Sequence, residues 1–143
     1  MATSNSYTAL VRYLGNLRTE VTHPSSGSIL YTDAPKDNYG KGENFSPTDL
    51  LACSWAACAS TIIGIAIEQQ KLPPLEFTCT VQKVMQNNPR KIAKLSLGFY
   101  IKGPELTQEQ KKILEECIWQ CPVSLSLDPN IEKKADIFFE VYV

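Results

Sequence analysis

SPTDLLACSWAACASTIIG, residues 46–64, is the stretch on which the fold turns, because it has both the start signal and the composition of a crowded central helix. Ser46 suits the N-cap, Pro47 the first helical position and Asp49 the third, close to a capping box. Pro73 and Pro74 stop the helix, which is predicted to run to about Gln70. Ala52, Ser54, Ala56, Ala57, Ala59, Ser60 and Gly64 are small enough to let another backbone approach. A helix apolar on nearly all sides belongs in a core or an interface. The core helix of an ordinary α+β domain would have the same composition, so the two cysteines in the stretch, Cys53 and Cys58, are not yet functional residues.

The elements on either side of the helix define the class. Alternation in YTALVRYLG, a break at Gly15-Asn16 and LRTEVTH predict a hairpin, with SILYTD as a third strand after a turn at Pro24–Gly27. The polar segment 34–45, with Pro35, Gly40 and Gly42, reads as a loop. Beyond the helix, LEFTCTVQKVM and KIAKLSLGFYIKG flank QNNPR as a long hairpin. Thr107 with Gln110 caps a second helix, Cys121-Pro122 restarts a short third one, and ADIFFEVYV closes as a strand. The order βββ-α-ββ-αα-β is that of an α+β fold of antiparallel sheets with helices on one face.

The 143 residues fit one domain, 1–143, with a single core. A hydrophobic share of 43% with 20% charged residues is that of a globular protein. Fourteen Lys and Arg against fifteen Asp and Glu leave a net charge of −1, with no basic cluster to neutralise phosphates, so nucleic acid is not an expected partner. The N-terminal stretch MATSNSYTALVRYLG lacks the charged and apolar regions of a secretory signal. The longest apolar run, WAACASTIIGIAI, is shorter than the ~20 residues that cross a bilayer. A cytoplasmic protein with no membrane partner is expected. Five cysteines form an odd set, which argues for buried or reactive thiols over a disulfide framework. The single histidine, His23, argues against a zinc site or a Ser-His-Asp triad, and no metal or cofactor is expected.

Taken one at a time, the cysteines differ. Cys79 lies mid-strand and reads as a small buried hydrophobe. Cys53 and Cys58 are about 140° apart around a helix axis, so they do not line one site. Cys117 and Cys121 are four apart and could share a face, although the restart at Pro122 bends the chain. Cys121 adjoins the N-cap of the short helix, where free N–H groups and the positive end of the dipole favour a thiolate. Its partner would come from the long helix, and periodicity alone does not separate Cys53 from Cys58.

SPTDLLACSWAAC and CPVSLSL together resemble the OsmC/Ohr family, the osmotically inducible and organic hydroperoxide resistance proteins. The order of elements, the Gly-containing loop before the helix and the 63-residue spacing between Cys58 and Cys121 agree over essentially the whole chain. The resemblance implies an OsmC-like fold, an intertwined homodimer and thiol-dependent reduction of organic hydroperoxides without a metal or bound cofactor. It places the peroxidatic thiol at Cys58 and the resolving thiol at Cys121, with a dithiol reductant such as a lipoylated protein to regenerate them. Ile62, Ile63, Ile65 and Trp55 would then surround Cys58 and favour alkyl hydroperoxides.

One position departs from that pattern. Thr48 stands ten residues before Cys58, where the peroxidases of the family have a Glu that partners an Arg against the thiol. Asp49 is nine residues from Cys58, about 180° around the helix, and reads as a helix-start carboxylate. Arg18, on the second predicted strand, is the candidate for the family's arginine; the third strand and loop offer only Lys36 and Lys41. Loss of the Glu leaves a second reading, an OsmC-like small-ligand-binding or thiol redox-sensing protein with weak or no peroxidase activity. A third is an interaction module with inert thiols.

Overall fold

The computed structural model describes residues 7–142. The first six residues of the stretch read against a secretory signal, and Val143 of the last predicted strand, lie outside the described residues. The chain divides into two compact units, one closing at Leu50 and the other running from Leu51.

In the first unit β1 (Leu10–Gly15), β2 (Arg18–Thr22) and β3 (Ile29–Asp33) form an antiparallel sheet in sequence order. Asn16 and Leu17 link β1 to β2 with φ of 54° and 62°. Two left-handed residues in succession are what a type I′ turn needs to match strand twist. The register sets Val11, Val21 and Leu30 in one row across the three strands. The predicted loop follows, with a 3₁₀ turn at Lys36–Asn38. Gly40 is required here, since a Cβ on it would meet the Ala34 carbonyl oxygen at 1.7 Å.

The long helix α1 (Pro47–Gln69) opens as its sequence predicts. Ser46 Oγ accepts from the Asp49 N–H at 3.0 Å, and Asp49 Oδ2 accepts from the Ser46 N–H at 2.9 Å. This is a capping box with Asp in the Glu position. At 23 residues α1 is longer than its apolar run, and by length and composition alone it would suffice to cross a membrane. Its Ala52, Trp55, Ala56, Ala59 and Ile63 are buried in the protein core.

The second unit holds the other sheet, β4 (Glu76–Gln86), β5 (Lys91–Gly103) and β6 (Glu132–Val141), in that order. Inward-facing Leu95, Leu97, Phe99 and Ile101 of β5 join the α1 residues in one buried cluster. Ile92 is also buried although it is three residues from Leu95. The pairing explains it, for Val84 faces Lys94 while Met85 faces Ile92, making Ala93 an extra residue that resets the alternation. The α2 helix (Gln108–Gln120) has the predicted Thr107–Gln110 capping box and adds Leu114, Cys117 and Ile118 to the core. It is followed by α3 (Pro122–Ser126).

The α+β class and the element order are as read, with one difference in strand direction. β1–β2, β2–β3 and β4–β5 are antiparallel, but β6 runs parallel to β5. A tight hairpin would reverse the chain; here α2 and α3 form the connection and return it to the starting end of β5.

Candidate functional site

Pro122 shapes the site. A residue before proline is pushed to extended backbone, and Cys121 has φ −68° and ψ 148°. It therefore ends α2 and caps α3 at once. Cys121 Sγ accepts from the Ser124 N–H at 3.4 Å and donates to the Ile118 carbonyl at 3.6 Å. Proline also lacks the N–H that would close the helical bond to Ile118, four residues back. The indole Nε1–H of the fully buried Trp55 takes that place, donating to the Ile118 oxygen at 3.0 Å. Trp119, next along α2, stacks obliquely on Trp55 with ring centroids 5.6 Å apart.

Trp55 is one turn before Cys58 on α1. Cys58 is half-buried against the core, Cys121 is fully buried, and the two thiols lie close enough for Cys58 to act on the ionisation of Cys121. The structure thus brings together two of the three residues singled out from sequence. Burial raises the Cys121 pKa above the ordinary cysteine value, against the lowering effect of the Ser124 N–H; hydrogen bonding and charge repulsion from Cys58 raise it further. This corrects the sequence reading of a thiolate at a helix N-terminus. The five-residue α3 provides too small a field to overcome desolvation, and Cys121 is a neutral thiol at neutral pH. Burial likewise lifts Cys117 above the ordinary value and Cys79 to about 11, as expected of inert thiols. Ile62 packs beside the core near Cys58, whereas Ile63 is a core residue about 140° around α1 from it. Leu51 and Ile65, seven residues to either side of Cys58, are 44% and 42% exposed, which extends an apolar stripe along the Cys58 face.

Arg18, the third residue, belongs to the first unit. Its Nε donates to Asp33 Oδ1 at 2.7 Å, and Nη2 donates to Asp33 Oδ2 at 3.0 Å and to Glu43 Oε2 at 2.7 Å. Asp33 also accepts from the Glu43 N–H and from Asn44 Nδ2, which fastens the loop 34–45 to β3. The Arg18 guanidinium holds the Asp33 carboxyl down at about 2, and the two carboxylates raise the Arg18 pKa in return. Arg18 and Lys41 line a cavity of about 250 Å³ beside the β1–β2 turn. Thr48 Oγ1 lies 3.2 Å from Ser46 Oγ in the helix-start network. Among the described residues no three His, Cys, Asp or Glu side chains gather as metal ligands.

Sequence reasoning gave Trp55 only a place in the surroundings of Cys58, and it missed Asp33 and Glu43. The available signal for Trp55 was Pro122, which takes a hydrogen bond from a carbonyl three residues before Cys121. The partners of Arg18 depend on the register of β2 against β3 and on the path of the loop, which no local pattern encodes.

Comparison with known proteins bears on the family and the fold. The family described as OsmC-like protein matches residues 40–135. No curated protein matches the chain. A solved structure from Psychrobacter arcticus, classed with osmotic-stress-induced and detoxification-response proteins, is 39% identical, with a TM-score of 0.88 over 96% of this chain and 100% of that one. Two organic hydroperoxide resistance proteins share the fold. The one from Legionella pneumophila is 22% identical, with a TM-score of 0.69 over 92% of this chain and 97% of its own. The one from Elizabethkingia anophelis is 21% identical, with a TM-score of 0.70 over 96% and 99%.

Proposed function

We propose that this chain, which belongs to the OsmC-like protein family, is a thiol peroxidase that reduces organic hydroperoxides, with Cys58 attacking and Cys121 resolving. The observation that carries the reading is that Cys58, packed against the core, lies near enough to the buried Cys121 to raise its pKa. Cys58, as thiolate, attacks the distal peroxide oxygen; the O–O bond breaks, the alkoxide leaves and takes a proton to become an alcohol, and Cys58 is left as a sulfenic acid. The Cys121 sulfur then displaces the sulfenic hydroxyl, its proton leaving with that group as water, and the Cys58–Cys121 disulfide forms. A dithiol reductant, for which a lipoylated protein is the family's precedent, accepts the disulfide and restores both thiols.

A neutral Cys121 suits the resolving role, because it keeps its proton until a sulfenic acid is present to take it. The exposed Leu51 and Ile65 on the Cys58 face favour an alkyl chain on the peroxide. Arg18, fixed by Asp33, is the proposed cation for the thiolate, and Glu43, with its side chain 61% exposed, is the partner it can exchange. The reading includes a single OsmC-like domain acting as a homodimer in a reducing compartment such as the cytoplasm. Thr48 favours a second reading, since a hydroxyl in the helix-start network cannot supply the charge of a Glu: a ligand-binding or redox-sensing protein with little turnover.

Anaerobically reduced protein mixed with one equivalent of cumene hydroperoxide, followed by intact-mass and peptide mapping, decides between them. The expected products are cumyl alcohol and a Cys58–Cys121 disulfide, with peroxide consumption abolished by Cys58→Ser. Equal rates for wild type and Cys58→Ser would sink the peroxidase reading, and a disulfide formed only by a general thiol oxidant would favour the sensor.

A further inference from the structure

We propose that Trp55 is a positioning residue for the dithiol, clamping α1 to the α2–α3 junction so that Cys58 and Cys121 are held at bonding range. The proposal deepens the reading of Cys58 and Cys121 as a working pair and rests on it. The clamp is one hydrogen bond, from Trp55 Nε1 to the Ile118 oxygen at 3.0 Å. Its two ends sit symmetrically, for Trp55 is three residues before Cys58 and Ile118 three before Cys121. Each end is therefore about one helical turn from the thiol on its own segment.

A buried tryptophan that only fills a core needs no particular partner, and its N–H would donate to any nearby acceptor. This one meets a carbonyl made available by Pro122, the same residue that turns Cys121 into an N-cap. Ile118 O also takes the Cys121 S–H at 3.6 Å, so the indole and the thiol share an acceptor. Loss of the indole N–H removes the tie between the two segments and leaves the Cys121 segment freer to move. Closing the disulfide then costs more order, and the effective concentration of one thiol toward the other falls.

The test needs no peroxide. In glutathione buffers each protein dithiol passes two electrons to one oxidised glutathione, giving the protein disulfide and two reduced glutathiones, and the equilibrium constant reports the effective concentration. Trp55→Phe is expected to lower that constant roughly tenfold, the scale of one hydrogen bond, or about 30 mV for two electrons. Site-specific β-(3-benzothienyl)alanine at position 55 replaces only the N–H by sulfur, keeps the bicyclic shape if Phe does not fold, and is expected to give the same shift. A constant within twofold of wild type for the benzothienyl protein, whatever its melting temperature, overturns the positioning role and leaves Trp55 as core. Failure of the peroxidase reading is seen separately: a wild type that leaves cumene hydroperoxide unconsumed can still show the glutathione shift.

Discussion

At Cys121 and Asp33 the same two influences, burial and hydrogen bonding, compete with opposite results. The backbone N–H groups that face the sulfur of Cys121, chiefly that of Ser124, are too little to offset removal from water, and the thiol stays protonated. The carboxylate of Asp33 receives two bonds from Arg18, one from the Glu43 N–H and one from Asn44, and its charged form is favoured despite burial. Its pKa is depressed from 3.8 to about 2. A depressed carboxylate adds stability above its unfolded value, and that stability disappears as pH falls through the folded one. Asp33→Asn is therefore expected to be less stable than wild type at pH 7, with the gap narrowing between pH 4 and pH 2. Urea denaturation of both proteins across that range measures it, and a gap independent of pH would show that the Arg18–Asp33 pair is not coupled to folding.

Among the elements, α3 depends most on one side chain. Five residues do not make a stable helix alone, and its N-cap is a cysteine, a weak acceptor. Cys121→Ser keeps an acceptor for the Ser124 N–H and a donor for the Ile118 carbonyl, whereas Cys121→Ala leaves the Ser124 N–H uncapped and the Ile118 carbonyl with Trp55 alone. The Ala variant is expected to be about 1 kcal/mol less stable than the Ser variant in urea denaturation. Equal stability would mean the cap contributes nothing. The same junction shows what a sequence can disclose. Both capping boxes, the place of Cys121 at a helix start and the order of nine strands and helices follow from residues within a few positions of each other. The parallel setting of β6, the bulge at Ala93 and the clamp from Trp55 to Ile118 join residues far apart in the chain, and local patterns are silent on them. The protonated state of Cys121 is out of local reach for the same reason: the N-cap, which favours a thiolate, is local, whereas burial depends on α1, α2 and the sheet together.

For the whole molecule, the first unit raises a question of cover. Its sheet has three strands, and large apolar residues are exposed on both faces, with Val11 at 60%, Tyr13 at 65%, Ile29 at 53% and Leu30 at 42%. The register aligns Val11, Val21 and Leu30 on one face and Leu10, Thr22 and Ile29 on the other. Such a sheet needs an apolar face covered to be stable, and contiguous exposed apolar patches mark interaction sites. Under the homodimer reading proposed above, a second copy of the chain is what would cover it. Light scattering on the eluting protein at micromolar concentration is expected to give twice the chain mass. Val11→Glu puts a charge in the middle of the Val11–Val21–Leu30 row, where burial without a partner costs several kcal/mol, and is expected to shift the mass toward a single chain. A wild type that elutes as a single chain would refute the homodimer; a Val11→Glu dimer as tight as wild type would move the interface off this face of the sheet.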